Sequence, residues 1–534
     1  MDENSEKYVK YINTLTQIGV ALSAEKDHSR LLKMILAKSM DLCNADGGTL
    51  YLVYKKDRLS FSIIANKTLN IPPTPSIEVD FPLTAIPLYI DHQPNLKNVV
   101  CYCYHQNQTI NITDIEKTKD FDFSGTHKID EKLGYHSVSF LTIPLRDDKN
   151  NIIGILQLIN AMDETTGKVI PFSEEKIHLA ESLASQAAII LIKHELMQAQ
   201  KVLFESLIQL IARAIDEKCS YTSKHCSRVP LLTMMIANAV NNASSGPLKD
   251  FHLTKDQFDE LTIAAWLHDC GKISIPEYVI NKAKKLETII DRMELVDLRI
   301  EIIKRDLKIA LLEKLLNSHS VSMHPIEEAW QQSISELRQA QVFLKKVNIG
   351  GEFLTVDDKE KIKTLAKQYT YVSNDSSQLP LLTEEDVSNL SIERGTLNEK
   401  ERKIIQNHVS VTQKMLSSLP YPDYLKKVPE IAGNHHESLN GKGYPHGVSG
   451  NQLSMQARIV TIADVFEALT AADRPYKTAK TLKESLSIMQ EMKNKGQIDP
   501  DLFDLFVQKK IYLDYAKQYL NTEQIDIDTE TTTK

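Results

Sequence analysis

NHHESLNGKGYPHGVSG, at residues 434–450, and ADVFEALTAADRPYK, at 463–477, form the segment that decides the fold of the C-terminal half. The adjacent imidazoles of His435 and His436 and the later carboxylate of Asp464 are ligands of divalent transition metals. Consecutive residues of a regular helix do not share a face, so the two histidines predict a helix end or a loop. An HH pair alone is a weak signal, because two adjacent histidines before a loop more often lie on a protein surface.

Upstream blocks make the pattern more specific. HDCGK at 268–272 follows the apolar run LTIAAWL at 261–267, which predicts that its His and Asp close a buried helix. Further histidines lie in YTSKHCSRV at 221–229 and in QNHVSVT at 406–412. Seven ligands suit two metal ions that share a bridging carboxylate. The candidate ligands are His225, His268, Asp269, His408, His435, His436 and Asp464.

These ordered motifs resemble the HD-GYP phosphodiesterases, a branch of the HD metal-dependent phosphohydrolases. The resemblance covers a first part at 200–283 and a second part at 393–525, where RGTLNEKERKIIQNH, HHESLNGKGYP and IDPDLFDLF stand in order. It implies an all-α domain with two divalent metal ions, iron or manganese, that hydrolyses cyclic di-GMP. Some members of the family prefer cyclic GMP-AMP, and others have lost activity and only bind.

The resemblance also implies how the ligands divide between the ions. One metal would take His225, His268, Asp269 and Asp464, and the other would take Asp269, His408, His435 and His436. Relatives with a third metal carry Glu at the position of Tyr221, and a phenol is a poor ligand at neutral pH. Two metals and linear pGpG as the main product are therefore expected, provided that neither Asp216 nor Glu217 replaces that Glu.

Substrate-binding roles follow by the same resemblance. The catalytic candidates are Asp269, as the bridge, and Lys272, as a cation for a phosphate oxygen. The remaining candidates line the substrate pocket or hold its other phosphate, and they are Gly443, Tyr444, Pro445, Arg474 and Lys477. An extra alanine before Asp473 departs from the family spacing, which makes the assignment of Arg474 less secure than that of the ligands.

Composition sets the broad class. The chain has 534 residues, of which 42% are hydrophobic and 25% charged, so it is expected to form several globular domains. A net charge of −8 argues against a general nucleic-acid binder. No apolar run is long enough for a membrane span, and MDENSEKYVK at 1–10 does not have the pattern of a signal peptide. The six cysteines do not form a disulfide framework, so a cytoplasmic protein is expected.

The N-terminal part at 1–195 predicts an α+β sensor domain. Helical periodicity at 8–45 is followed by alternating strand patterns and a closing helix. This order resembles a GAF domain, and FDFSGTHKIDEKLGY at 121–135 is similar to a segment that shapes the nucleotide pocket in GAF domains of phosphodiesterases and cyclases. Two interpretations stay open: binding of a small molecule or cyclic nucleotide, and an empty domain that only dimerises.

The connecting helix at 175–215 predicts a coiled coil. Apolar residues recur every seven positions, which favours a parallel homodimer that carries movement of the sensor to the catalytic half; they are Leu183, Ile190, Met197, Phe204 and Ile211. The alternative is a helix packed on its own domains. The 284–392 insertion predicts a helical hairpin that the family resemblance does not explain, and 526–534 predicts a disordered tail.

The sequence thus predicts a multidomain chain: an α+β GAF sensor domain followed by an all-α HD-GYP domain with a helical-hairpin insertion. The first alternative function is a non-catalytic cyclic-dinucleotide receptor, which the intact ligand set disfavours. The second is an HD phosphohydrolase that acts on another phosphoester, including another cyclic dinucleotide such as cyclic GMP-AMP.

Overall fold

The computed structural model describes residues 3–76, 83–218, 224–317, 323–351, 353–375, 377–471 and 479–527. They belong to two compact units, 1–203 and 204–534. Tyr221, Arg474, Lys477 and most of the predicted tail lie outside the described residues. None of the described helices combines the length and the apolarity that a membrane crossing requires.

The first unit is an antiparallel sheet with helices on its faces. Its main strand order is β3-β2-β1-β9-β8-β7, with β4 added to β2 and β10 added to β9, while β5 and β6 pair separately. The helices are α1 Glu3–Ala24, α2 His28–Cys43, α3 Val99–Gln106, α4 Ser124–Leu133 and the start of α5 Glu174–Lys218. The strands are β1 Ala45–Tyr54, β2 Arg58–Asn66, β3 Ile71–Pro75, β4 Ile86–Pro87, β5 Tyr89–Ile90, β6 Gln93–Pro94, β7 Ile110–Ile112, β8 Phe140–Arg146, β9 Ile152–Met162 and β10 Val169–Ile170.

Both faces of this sheet are covered. On one face, buried residues of α2 such as Leu31 and Ile35 pack with apolar residues of α5 and of the central strands. On the other face, α3 places Val100 and Cys101 against Tyr51 in a closed apolar cluster. Because side chains of a strand alternate between faces, the two clusters together bury most of β1 along its length.

The segment at 121–135 is fixed to the end of the sheet by polar contacts. The Tyr135 hydroxyl donates to Asp46 Oδ2 at 2.7 Å, and Asn160 Nδ2 donates to that hydroxyl at 2.9 Å. Asp130, which is buried in α4, accepts the Ser137 backbone N–H at 2.8 Å. Buried polar groups need such partners, so these residues have a structural role in addition to any role in binding a ligand.

Helix α5 is continuous over 45 residues, as the sequence predicts, but the predicted seam is wrong in its first half. Leu183 and Ile190 are 0% and 8% exposed because they pack into the core of their own sheet unit, and they are therefore not free to meet a second helix. The neighbouring stripe, also with a seven-residue period, is open instead: Ile189, Leu196 and Leu203 are all more than 60% exposed.

The second unit is mostly helical. The helices around the candidate ligands are, in chain order, α6 His225–Asn241, α7 Lys255–Leu267, α8 Glu277–Ile280, then, after the insertion, α13 Glu399–Ser417, α14 Val428–Gly433, α15 Met455–Thr470, α16 Leu482–Asn494, α17 Pro500–Gln508 and α18 Ile511–Tyr519. One apolar core joins all of these helices except α8, and in it Phe466 of α15 packs between Phe506 and Tyr515. Capping boxes fix the starts of α7 and α13.

The insertion contains the predicted hairpin and further elements. Its elements are α9 Met293–Asn317, α10 Met323–Asn348, α11 Val356–Gln368, β11 Thr370–Val372, β12 Gln378–Pro380 and α12 Glu384–Leu390. Contacts from Asp291 to Asn348 and from Asp297 to Gln341 make α9 and α10 antiparallel. Beyond the predicted hairpin, the polar segment after α11 forms a two-stranded ribbon that packs on α9. The insertion has its own apolar core.

Candidate metal centre

Five helices place the candidate ligands at one point. His225 is the first residue of α6, and His268 directly follows the last residue of α7. His408 lies inside α13, the His435–His436 pair follows the end of α14, and Asp464 lies inside α15. The predicted helix end at the HH pair therefore exists, and both rings turn to the same site, with their centroids 4.1 Å apart.

Asp269 lies between two groups of imidazoles. Its Oδ2 is 3.3 Å from His225 Nε2 and 3.2 Å from His268 Nε2, whereas its Oδ1 is 3.1 Å from His408 Nε2. One carboxylate thus presents a different oxygen to each group. This geometry suits a bridging ligand between two ions.

Asp464 also faces both groups. Its Oδ1 lies 3.2 Å from His225 Nε2, and its Oδ2 lies 3.9 Å from His436 Nδ1. Potential ligand atoms converge within 4.8 Å in three overlapping sets: His225, His268 and Asp464; His268, Asp269 and His435; and His408, His435 and His436. All seven predicted ligands thus lie in one cluster. The approach of Asp464 to His436, on the side of the second metal, was not expected from the sequence.

Hydrogen bonds fix the tautomers of three of these histidines. Nδ1 of His268, His408 and His435 each donates to the backbone carbonyl three residues earlier, at 2.7, 2.5 and 2.6 Å. A carbonyl only accepts, so Nδ1 carries a proton, and in the neutral ring the lone pair is therefore on Nε2. Within the described part of the chain, these three buried Nε2 atoms make no hydrogen bond, and those of His268 and His408 only approach the Asp269 carboxylate, at 3.2 and 3.1 Å. Buried atoms of this kind fit a metal ion.

Electrostatics keep part of the ligand set in the form that binds a cation. Burial lowers the pKa of His436 to about 4 and that of His435 well below its usual value, so both rings are neutral near pH 7. Burial would raise the pKa of Asp269, but the positive charge of Lys272 and the neighbouring histidines hold it well below its usual value. Neutral imidazoles and ionised carboxylates are the required ligand forms.

Glu467 is a functional residue that the sequence reading missed. It lies one turn after Asp464 on α15, is 1% exposed, and its Oε2 is 2.5 Å from His225 Nδ1. Its other oxygen is 3.5 Å from Arg228. A carboxylate behind a ligating histidine orients the ring and raises its basicity. The three-residue spacing between Asp464 and Glu467 places both on one helix face, and this is the sequence feature that could have indicated that Glu467 faces the site.

Close packing against α13 explains why the HDCGK motif has glycine at Gly271. A Cβ at this position would overlap the backbone carbonyl of His408, so only glycine lets α13 approach the turn that carries Asp269. The Gly271 N–H donates to Thr412 Oγ1 at 2.8 Å. In the same turn, Lys272 Nζ is 2.6 Å from Asp269 Oδ2, so the ammonium contacts the candidate bridging carboxylate directly.

The GYP loop borders the cluster. The ring of Tyr444 packs on His436 with centroids 4.8 Å apart and a 33° angle between the planes. Gly443 passes so close to the backbone of Glu437 that a Cβ would overlap it. The Glu437 carboxylate, 2% exposed, holds the loop by accepting the backbone N–H groups of His446, Gly447 and Val448 at 2.7, 3.1 and 3.1 Å.

Two family models match the chain, an HD domain at 377–502 and a GAF domain at 27–191. One similar relative is the 3'3'-cGAMP-specific phosphodiesterase 3 of Vibrio cholerae serotype O1, with 41% identity over 119 residues, 22% of this chain and 25% of the relative. Another is the cyclic di-GMP phosphodiesterase response regulator RpfG of Xanthomonas campestris pv. campestris, with 33% identity over 120 residues, 22% of this chain and 31% of the relative. The chain thus matches only about a quarter to a third of the length of these relatives.

Proposed function

We propose that this chain, which combines a GAF domain with an HD domain of the HD-GYP type, hydrolyses a cyclic dinucleotide at a binuclear metal site. The observation that carries the proposal is the cluster of five histidines and two aspartates with three buried Nε2 atoms that lack hydrogen-bond partners. The named activities of the relatives support the same reaction class.

The protein's part in this reaction is to hold and orient the ions. Imidazole and carboxylate together suit iron or manganese. Two such ions, when bound, would activate a water molecule and stabilise the charge on the phosphate oxygens. Asp269 would bridge, since its two oxygens face different histidines. Asp464 would belong mainly to the His225 side, where it makes its shorter contact.

Other residues would act on the dinucleotide itself. Lys272 would contribute positive charge beside Asp269, where its Nζ lies 2.6 Å from Oδ2, and would offer that charge to a phosphate oxygen. Tyr444 is half-buried on the ring of His436, where it would shape the pocket for a base or ribose together with Gly443 and Pro445. Arg474 and Lys477 remain proposed contacts to the second phosphate.

Cyclic di-GMP is the substrate that the sequence motifs predict, and 3'3'-cGAMP is the second candidate. Two relatives with 41% identity are named 3'3'-cGAMP-specific phosphodiesterases, whereas the relatives named for cyclic di-GMP reach 33%. In either case a site with two metals favours a linear dinucleotide as the main product.

The GAF domain would regulate this activity within a homodimer. The open stripe of α5 that contains Ile189, Leu196 and Leu203 replaces the predicted seam as the proposed contact between two copies. Its seven-residue period matches a coiled coil. Control of the GAF domain by a small molecule requires a ligand that binds to it. A cyclic nucleotide is the first candidate ligand to test.

The direct test is anaerobic purification with iron or manganese, followed by assays with cyclic di-GMP, 3'3'-cGAMP and cyclic di-AMP. We expect hydrolysis by the wild type and by the exposed control variant Asp423→Ala, but not by Asp269→Ala. Binding without hydrolysis by the metal-loaded wild type would favour the receptor alternative. Hydrolysis of other phosphoesters alone would favour a different HD phosphohydrolase.

A further inference from the structure

Helix α9 of the insertion has a second apolar face that its own core does not use. The first face, with Val296, Ile300 and Ile303, is buried against α10. The other face points to solvent and follows a strict alternation of three and four residues, the spacing of a coiled-coil seam. Its members are Leu295, Leu298, Ile302, Arg305, Ile309, Leu312 and Leu316.

The exposure of this face is large. Leu298 is 61% exposed and Leu316 is 77% exposed, and the other apolar members are between 37% and 53% exposed. The seam runs over 22 residues, which is about 32 Å from its first to its last residue. Exposed apolar residues lie on this face on both sides of Arg305, and together they mark an interaction surface rather than scattered surface residues.

We propose that this outer face of α9 pairs antiparallel with the same face of α9 in a second copy of the chain. From Leu295 to Leu312 the seam is self-complementary in that direction, and Leu316 lies beyond the paired layers. When Ile302 lies opposite Arg305 of the second copy, Leu298 lies opposite Ile309 and Leu295 opposite Leu312. A twofold axis near the middle of the helix generates every layer twice, as an isologous contact requires.

The charges beside the seam select this direction. In the antiparallel pair, Glu301 lies beside Lys308 of the second copy, and the twofold axis repeats this attraction. In a parallel pair, Lys308 would lie beside Glu313, but Arg305 would face Arg305 and Glu301 would lie beside Asp306. Like charges at such positions oppose association.

One edge of the seam is open and the other is not. Arg299 donates to Asp386 Oδ2 at 2.9 Å, and Asp306 accepts the Val372 N–H at 3.1 Å, so the insertion itself uses that edge. On the opposite edge Lys308 is exposed, and Glu301 is 54% exposed although it also contacts Lys304 of its own chain at 2.6 Å. The second helix would therefore approach from the edge that carries Glu301 and Lys308.

A charge exchange in the full-length chain tests the contact, with association measured by sedimentation velocity. Glu301→Lys and Lys308→Glu should each weaken association by about tenfold, because two attractive pairs become repulsive. The double variant should restore it, and Lys314→Glu, on the opposite side of the helix, should leave it unchanged. Tighter association of Glu301→Lys would indicate a parallel pair, and equal association of all variants would overturn the proposal.

A second readout separates this contact from dimerisation through α5. Equal amounts of ¹⁴N- and ¹⁵N-labelled wild-type chain are mixed, treated with a zero-length carboxyl–amine cross-linker and digested. We expect mixed-isotope cross-links between Glu301 and Lys308. If the cross-links of Glu301 join it only to Lys304 of the same chain, α9 does not pair with a second copy.

Discussion

Replacing Glu467 gives the most informative perturbation of the centre, because this carboxylate touches a candidate ligand without being one. It is 1% exposed and 2.5 Å from His225 Nδ1. Glu467→Gln keeps the shape and an oxygen that accepts the Nδ1–H bond, but it removes the charge. Glu467→Ala removes the charge, the hydrogen bond and the volume.

The loss of a partner behind a metal-ligating histidine weakens metal affinity by about 10- to 100-fold. For Glu467→Gln we expect a loss of about tenfold in metal affinity, which is about 1.4 kcal/mol of binding free energy. For Glu467→Ala we expect a loss of about 100-fold, which is about 2.7 kcal/mol. The order of the two variants follows from the structure, since glutamine still orients the ring and alanine does not.

The assay is competition for iron or manganese with a chelator of known affinity, run beside thermal unfolding of the metal-free proteins. Glu484→Gln is the matched control, because it makes the same change on the exposed first turn of α16. Unchanged metal affinity in a folded Glu467→Ala protein would refute the view that Glu467 supports His225 as a ligand.

Three further results are expected. Asp269→Ala should lose both metal ions in elemental analysis, because its two oxygens face different histidines, and retention of two ions would contradict the bridge. Leu196→Asp combined with Leu203→Asp should weaken dimers of the full chain in light scattering, and an unchanged mass in a Glu301→Lys background, where the α9 contact is weakened too, would exclude the open stripe of α5 as a contact. Gly271→Ala should lower the unfolding midpoint and metal content together, since a Cβ overlaps the carbonyl of the α13 histidine; a wild-type melting curve would show that α13 tolerates the shift.

The residues of the centre were predictable because their chemistry is local. Adjacent His435 and His436 require a helix end, and His268 with Asp269 must follow the apolar helix before them, so the sequence specifies where each ligand stands on its own element. The buried acids that orient a ligand or hold the loop were not predictable in this way. Glu467 and Glu437 are ordinary acids in sequence, and only packing of α15 against α6 and folding of the loop bring them to His225 and to the loop amides.

The apolar stripes of α5 and α9 show what sequence periodicity cannot predict. A seven-residue period reports that a helix has an apolar stripe, but it does not report which stripe the chain's own core uses. In α5 the core takes Leu183 and Ile190 and leaves Leu196 open. In α9 the core takes Ile300 and leaves Leu298 open. Periodicity therefore predicted both helices, whereas the free faces depend on long-range packing.

The most direct measurement of the central claim is hydrolysis of a cyclic dinucleotide during stepwise addition of iron or manganese to metal-free chain. Metal content and products are determined in the same samples. We predict that turnover appears as occupancy rises from one to two ions per chain, with linear dinucleotide released first. A folded chain that binds two ions and the cyclic dinucleotide but does not hydrolyse it would contradict the account. So would full activity with one ion, or a three-ion site that releases mononucleotide as the early product.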